Sequence, residues 1–359
     1  MNRPLIVGGG PAGAAAAIGL ARAGHPALLI ERTRAPPDVV CGGFLGWDAL
    51  AALRGLGLDP AALGARAIGR LRLVAGDRVA EAALPRPAAG LSRHALDAAL
   101  LAQAEAAGNG IERGVNVRTA TAGVLRTADG ATLAPDALFL ATGKHELRGL
   151  ARPRGAAPSV GLRTRLDPTP RLAADLAGMV ELHLFDRGYA GLLVQDDGAI
   201  NLCLSVDASR LSDGTAALLA DLARDAPRLL GRIAAARDAP AWSAIAGVPY
   251  GWRARETDDG VFRLGDQAAV IASLAGDGVA IALHSGTIAA RAYAARGPAG
   301  AARYQTAFAR TAARPLALAG AVRRMAEGPF AGLLPLFARV PGLAAAAAAL
   351  TRIGTAADA

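Results

Sequence analysis

The chain has 359 residues, 53% of them hydrophobic and 19% charged, enough to bury a large core without staples and too apolar for a disordered chain. Two cysteines, Cys41 and Cys203, exclude a disulfide framework and cysteine-ligated clusters, and His25, His94, His145, His183 and His284 show no metal-ligand spacing, so no metal is expected. The net charge of +9 comes from arginines scattered singly, with Lys144 the one lysine and aromatics at 4%, a pattern that lacks the basic stripe of a nucleic-acid binder.

Leu5-Ile6-Val7 follows Met1-Asn2-Arg3-Pro4 and is too short for a secretion-signal core, so a cytoplasmic protein is expected. It reads as a buried strand that stops at Gly8-Gly9-Gly10-Pro11-Ala12-Gly13. Ala14 to Ala23 is rich in strong helix formers, with Gly24 as the stop, and Ala27 to Ile30 is a second strand closing on Glu31 and Arg32. Gly8, Gly10 and Gly13 thus fill G-x-G-x-x-G in a strand–turn–helix context. Each glycine has its own physical reason, namely a tight turn, close approach of backbone to a pyrophosphate, and close packing of helix on strand. Pro11 and Ala12 open a helix whose free N–H groups suit phosphate. Glu31, eighteen residues after Gly13, is placed for a ribose 2′-hydroxyl, with Arg32 beside it. Dinucleotide binding follows; NAD and FAD share this fingerprint.

Further on, Cys41-Gly42-Gly43-Phe44-Leu45-Gly46 is a second glycine-rich stretch. Arg70 to Val74 and Arg78 to Ala82 alternate as a hairpin across Gly76-Asp77. Ser92 is a good N-cap for an amphipathic helix that begins at Arg93. Val115 to Arg118 reads as a strand, and Ala137 to Leu140 as a buried one ending in Ala141-Thr142-Gly143. Val160–Leu166, Met179–Phe185, Tyr189–Val194 and Ile200–Val206 alternate between turns and predict an antiparallel sheet. Leu211 to Arg237 is helical, interrupted at Pro227. Gly260 to Asp266 is a strand ending in Gly-Asp, followed by Ala275-Gly276-Asp277-Gly278 and a helix from Val279 through Ala290. From Pro329 to Gly354 apolar residues are broken by Pro335, Pro341 and Gly342 too often to span a membrane; packing across the mouth of a pocket is the favoured reading, and peripheral membrane contact the less favoured one.

With the fingerprint, the Gly265-Asp266 and Gly276-Asp277-Gly278 stretches resemble the flavoprotein superfamily of p-hydroxybenzoate hydroxylase and geranylgeranyl reductase, over nearly the whole chain to about residue 295. The resemblance implies FAD. It assigns Asp266 to the ribityl chain, Gly276 and Gly278 to the loop under the flavin, and Arg93 to the phosphate and ribityl region. It assigns main-chain groups of Val117 to adenine, and Thr142 and Gly143 to the closure on the pyrophosphate. Cys41-Gly42-Gly43 is similar to the C-G-G or C-G-E segment of geranylgeranyl reductases, beside the flavin. Gly42 then lets backbone approach a flat ring, and Cys41 is a candidate proton donor, against the alternative of a small buried hydrophobe. Tyr189, in Gly188-Tyr189-Ala190-Gly191, is a catalytic or pocket candidate. The chain departs from the pattern at Ser273, where a proline is common, and at Thr142, where hydroxylases carry the aspartate of a D-G motif.

The expected fold is α/β: a Rossmann-like FAD-binding domain from segments 1–67, 91–155 and 258–328, an inserted antiparallel-sheet substrate domain from 68–90 and 156–257, and an apolar segment 329–359. The expected function is FAD-dependent oxidation or reduction of a largely apolar small molecule. A monooxygenase with NAD(P)H as transient reductant, hydroxylating an aromatic or polyketide-like substrate, is slightly favoured. A reductase of carbon–carbon bonds is the alternative, and a flavin-binding electron carrier the reading from another class.

Overall fold

Five short parallel strands form the first sheet, in the order Val261–Arg263, Leu138–Leu140, Leu5–Val7, Leu28–Glu31, Gly110–Arg113. The computed structural model describes residues 3–353 except 122, 154–158, 239–240 and 341, so the boundary expected between 155 and 156 lies outside the described residues. The register aligns Val7 with Leu140 and Ile30, and Leu140 with Arg263. Because parallel strands share a direction, Gly8, Ala141 and Leu264 all leave the sheet at one edge, the carboxyl edge where such folds take ligands.

One face of this sheet is covered by helices packed unusually close. Phe139 and Phe262 stack at 4.6 Å in the core. The helix Pro11–Arg22 buries a run of alanines against Gly278–Arg296. A Cβ at Gly286 would overlap the Ala12 carbonyl oxygen, and one at Gly19 would lie 2.8 Å from the Ala290 methyl. Small residues on both helices therefore set the spacing. The other face is covered by a three-stranded sheet, Val117–Thr121, Val124–Thr127 and Thr132–Leu133, through Ala120 and Leu125. The strand expected at Val115–Arg118 starts two residues later and belongs to this small sheet.

The second large sheet has eight strands, in the order Ser243–Val248, Ser159–Leu166, Ile200–Asp207, Gly188–Val194, Met179–Phe185, Arg66–Ala75, Arg78–Gly90, Phe44–Leu45. The meander Met179–Asp207 is antiparallel as expected, and the helices Gly214–Asp225 and Pro227–Ala234, separated at Pro227, cover its outer face with Leu218, Leu222 and Leu229. One junction departs from an all-antiparallel sheet: Met179–Phe185 runs parallel to Arg66–Ala75, Leu182 opposite Leu73. The physical reason is topological. The hairpin and the meander are separate excursions that meet edge to edge, and no tight turn fixes their relative direction. The glycine-rich arm joins the sheet at its far edge, where Phe44 pairs with Gly90.

The helices Leu334–Ala338 and Leu343–Leu350 lie along the 66–90 hairpin. Among the described residues no helix is long and apolar enough to cross a membrane.

Candidate functional site

The fingerprint turn is built as its glycines require. Gly8 has φ +110°, and a Cβ there would overlap the Ala141 carbonyl oxygen; a Cβ at Gly13 would overlap the carbonyl oxygen of Gly8. The helix from Pro11 has Gly10 as its N-cap, with no side-chain cap and no acidic residue in its first turn. Its first N–H groups are left for a ligand. The space in front of them is open. A Cβ at Gly10 would meet only the Arg93 guanidinium, at 3.3 Å, and Cβ atoms at Gly42, Gly143 and Gly278 would meet nothing within 4 Å. The main chain of four segments thus borders a cradle with the Arg93 guanidinium at its rim, as a dinucleotide with a flat ring demands.

Charged groups ring this cradle, each held by a partner. Glu31 accepts from the Gly9 N–H at 2.7 Å and from the N–H and hydroxyl of Thr33 at 2.9 and 2.7 Å, which ties the end of the second strand to the turn. Arg32 donates to the His145 ring at 2.7 Å. Burial, then Arg32 and Lys144, lower the pKa of His145, so a neutral ring accepts that bond. Arg93 grips Asp97 one turn on through two bonds of 2.8 and 2.7 Å. Burial opposes its charge, but Asp97 overrides that and raises its pKa. Lys144 donates to the Val40 carbonyl at 3.2 Å and lies 4.0 Å from Asp266; burial works against its charge, and Asp266 with Cys41 holds it.

The loops carrying these groups are bolted together. Gln267 donates to the carbonyls of Gly143 and His145 at 2.9 and 3.0 Å, with its Oε1 buried and unpartnered. Arg152, almost wholly buried, donates to the Asp266 carbonyl at 2.7 Å, the Lys144 carbonyl at 3.2 Å and the Glu146 carboxylate. Thr142 spends its hydroxyl on the His145 carbonyl, at 2.8 Å, within its own turn.

The Cys41-Gly42-Gly43 arm lies against the eight-stranded sheet. Asn201, itself held by Arg163 at 2.6 Å, donates to the carbonyls of Cys41 and Gly42 at 3.0 and 2.8 Å. Gly43 has φ +69°, and a Cβ there would lie 2.5 Å from Gln195. Two residues beyond Asn201, burial and then Cys41 push the Cys203 thiol up to about 12, so it stays protonated. Phe44 crosses to the loop before Gly278, where a Cβ on Gly276 would lie 2.7 Å from its ring.

Ser273 has a role that the sequence hid. Its hydroxyl is shared between the phenols of Tyr189 and Tyr250, the second at 2.8 Å. Burial raises the pKa of Tyr189 well above the ordinary phenol value. Arg323 lies 4.4 Å over the Tyr250 ring and is held by Ser159 and Glu327. A second unforeseen cluster sits at the start of the helix Gly278–Arg296. Asp277 is fully buried and accepts from Arg352 at 3.0 Å and from the Ile353 N–H at 2.9 Å. The same guanidinium lies 3.8 Å from Asp48 and 4.7 Å from the Trp47 ring centre, and only a glycine at 46 leaves room for it.

The structure therefore brings Gly8, Gly10, Pro11, Ala12, Gly13, Glu31, Arg32, Arg93, Thr142, Gly143 and Asp266 to the carboxyl edge of the parallel sheet, with Cys41 and Gly42 facing them. Val117 lies in the three-stranded sheet, paired with Thr127, two residues after Val115, whose N–H donates to the Glu31 carbonyl at 3.1 Å. Lys144, as the one lysine, carried a usable signal. Asp277 and Arg352, seventy-five residues apart, carried none.

Residues 3–148 match the family described as FAD binding domain. That stretch, about two fifths of the chain, is similar to an FAD-binding domain. Over 64 residues it is 52% identical to hydrogen cyanide synthase subunit HcnB of Pseudomonas aeruginosa, which is 18% of this chain and 12% of that one, so the match spans about an eighth of that relative's length. The whole fold is similar to the flavin-dependent brominase Bmp2, with a TM-score of 0.80 at 16% identity over 99% of this chain and 94% of that one. It is similar to the peptidyl tryptophan dihydroxylase QhpG, with a TM-score of 0.72 at 24% identity over 95% and 79% of the two chains. It is similar as well to a geranylgeranyl bacteriochlorophyll reductase-like protein of Thermoplasma acidophilum, with a TM-score of 0.73 at 16% identity over 94% and 91%. These likenesses show the fold: a parallel-sheet domain joined to a second, curled sheet.

Proposed function

We propose that this protein is an FAD-dependent oxidoreductase acting on a small, largely apolar organic molecule, and within that class a monooxygenase that takes its electrons from NAD(P)H. The reading divides the chain as the sequence suggests, with segments 1–67, 91–155 and 258–328 around the cofactor and 68–90 with 156–257 around the substrate. The observation that carries it is the backbone-lined cradle of Gly10, Gly42, Gly143 and Gly278, ringed by Arg93, Lys144 and Asp266 and facing the eight-stranded sheet.

FAD, when bound, supplies a ring that accepts hydride and delivers it to oxygen or to carbon. The chain does the rest. The uncapped turn at Gly10–Gly13 and Arg93 bind the diphosphate, and Glu31 has lone pairs left for a ribose hydroxyl. Asp266, 4.0 Å from the Lys144 ammonium, accepts from the ribityl hydroxyls. The N-terminal end of the helix Gly278–Arg296 favours negative charge in front of it. Asn201 fixes the Cys41 and Gly42 carbonyls and so orients the arm, which leaves the Cys41 thiol to hold or move a proton. Tyr189 stays a neutral phenol and orients substrate oxygen, among apolar neighbours Ala75, Leu184 and Leu274 that exclude water.

The likeness of the Cys41-Gly42-Gly43 arm to geranylgeranyl reductases supports one second reading, reduction of a carbon–carbon double bond. A single assay separates the two. With alkyl-substituted phenols as probes, the monooxygenase consumes oxygen and NAD(P)H in step and yields a hydroxylated product. Turnover with an alkene probe under strict anaerobiosis overturns that reading and assigns the reductase. Bound FAD with no turnover and no spectral response to either probe favours the electron carrier.

A further inference from the structure

Every large apolar side chain left exposed among the described residues falls between Met325 and Leu350. Phe330 is 60% exposed, Val340 51%, and Leu336 and Phe337 44% each, with Leu333 beside them. Their position is fixed rather than frayed: Arg78 donates to the Gly332 carbonyl at 2.7 Å, Arg339 to the Val79 carbonyl at 2.9 Å, and the Arg187 N–H to the Glu327 carbonyl at 2.9 Å. A folded protein seldom leaves so continuous an apolar face without a partner.

The charge around the face says which partner. Arg78, Arg324 and Arg339 rim it, all exposed. No acidic residue occurs between Gly328 and Ile353. Of the carboxylates beside it, Glu327 is engaged by Arg323 and Glu81 by Arg70 and Arg72, and Asp77 adjoins Arg78. A second copy would set three arginines against the same three, with no acid in the apolar segment itself to answer them. An anionic lipid surface answers both the apolar centre and the basic rim.

We propose that this face docks the protein on an anionic bilayer, with Phe330, Leu333, Leu336, Phe337 and Val340 entering the interface and Arg78, Arg324 and Arg339 meeting the headgroups. The buried side of the same segment, through Ala331 and Leu334, packs on the cluster that holds Tyr189 and Leu274. Docking thus sets the bilayer beside the substrate wall, which suits an apolar substrate; the docking itself rests on the surface alone and not on the reaction proposed above.

The test is co-sedimentation of the full-length, FAD-loaded protein with phosphatidylglycerol/phosphatidylcholine vesicles and with phosphatidylcholine vesicles. The protein is expected to pellet with the first far more than with the second, and to be released by salt. The double substitution Phe330→Glu with Phe337→Glu removes apolar contact and adds repulsion, so partitioning should fall by about tenfold or more. Both positions are exposed, and unchanged flavin content with unchanged circular dichroism shows that the variant is folded. Arg324→Glu should weaken binding to the anionic vesicles selectively. Wild-type protein left in the supernatant of anionic vesicles overturns the proposal, and so does a double variant that binds as well as wild type. A concentration-dependent dimer that the double variant splits, with no vesicle binding, overturns it in favour of a second copy of the chain.

Discussion

Arg352 is the cation that faces the fully buried Asp277 carboxylate, and Arg352→Met tests what it does there. The substitution keeps a long side chain against the Trp47 and Phe44 rings, 4.7 and 5.7 Å from the guanidinium, and removes only the charge and its hydrogen bonds. Removing one partner of a buried pair costs about 3–5 kcal/mol when the other stays charged. Asp277 has an escape. Burial and then Asp48 already raise its pKa well above the ordinary carboxylate value, against the pull of Arg352. Without Arg352 it rises further, and the folded state holds a proton that the unfolded state loses near pH 4. A group with a raised folded pKa binds more protons when folded, so stability falls as pH climbs from that value to the folded one, by about 1.4 kcal/mol per unit. The gap between wild type and variant should therefore be smallest at acid pH, where Asp277 is protonated in both, and widen with rising pH toward about 3–5 kcal/mol. At about 2 °C per kcal/mol for a chain of this size, that is roughly 6–10 °C in Tm. Thermal melts from acid pH upward, at one scan rate with excess FAD, read the gap directly. A deficit that is equal at every pH, or that shrinks as pH rises, would refute Arg352 as the counter-ion of Asp277. Asp277→Asn combined with Arg352→Met should recover most of the loss, because the two changes share one interaction.

Gly13→Val places a side chain on the Gly8 carbonyl oxygen, so the purified protein should lose its yellow flavin absorbance; stoichiometric FAD in that variant sinks the phosphate-turn reading. Glu31→Ala should weaken FAD by about 1–3 kcal/mol in an equilibrium titration, and an unchanged Kd would remove Glu31 from the ribose site. Ser273→Ala cuts the shared link between Tyr189 and Tyr250, so KM should rise with little change in flavin content; an unchanged KM would make the link purely structural. Cys41→Ser should leave FAD bound and lower turnover per flavin. Normal turnover per bound flavin would remove Cys41 from the proton-handling role.

What the sequence could and could not reveal follows from how local each constraint is. The fingerprint is legible because backbone overlap at Gly8 and Gly13 allows no other residue and the turn, helix and second strand lie within thirty residues. Three strands of the parallel sheet, Leu5–Val7, Leu138–Leu140 and Val261–Arg263, follow from the same logic as short runs with a glycine-rich exit, whereas Gly110–Arg113, with two charged residues in four, gave no such signal. The meander Met179–Asp207 was legible because strand alternation and tight turns are local too. The parallel junction of Leu182 with Leu73 was not, because nothing local fixes how two excursions a hundred residues apart meet. Ser273 shows the same limit at a single position. Compared with a family pattern it reads as a missing proline. In the fold it is a hydroxyl between two phenols, one from a meander strand and one from the turn after Ser243–Val248. Arg352 and Asp277 carry this furthest: an arginine in an apolar tail and an aspartate among glycines each look solvent-facing alone. Only the packing that buries both makes their charges depend on each other. The glycine turn is therefore written in a short motif, whereas the Tyr189–Ser273–Tyr250 link and the Asp277–Arg352 contact are written in pairs that the fold alone brings together.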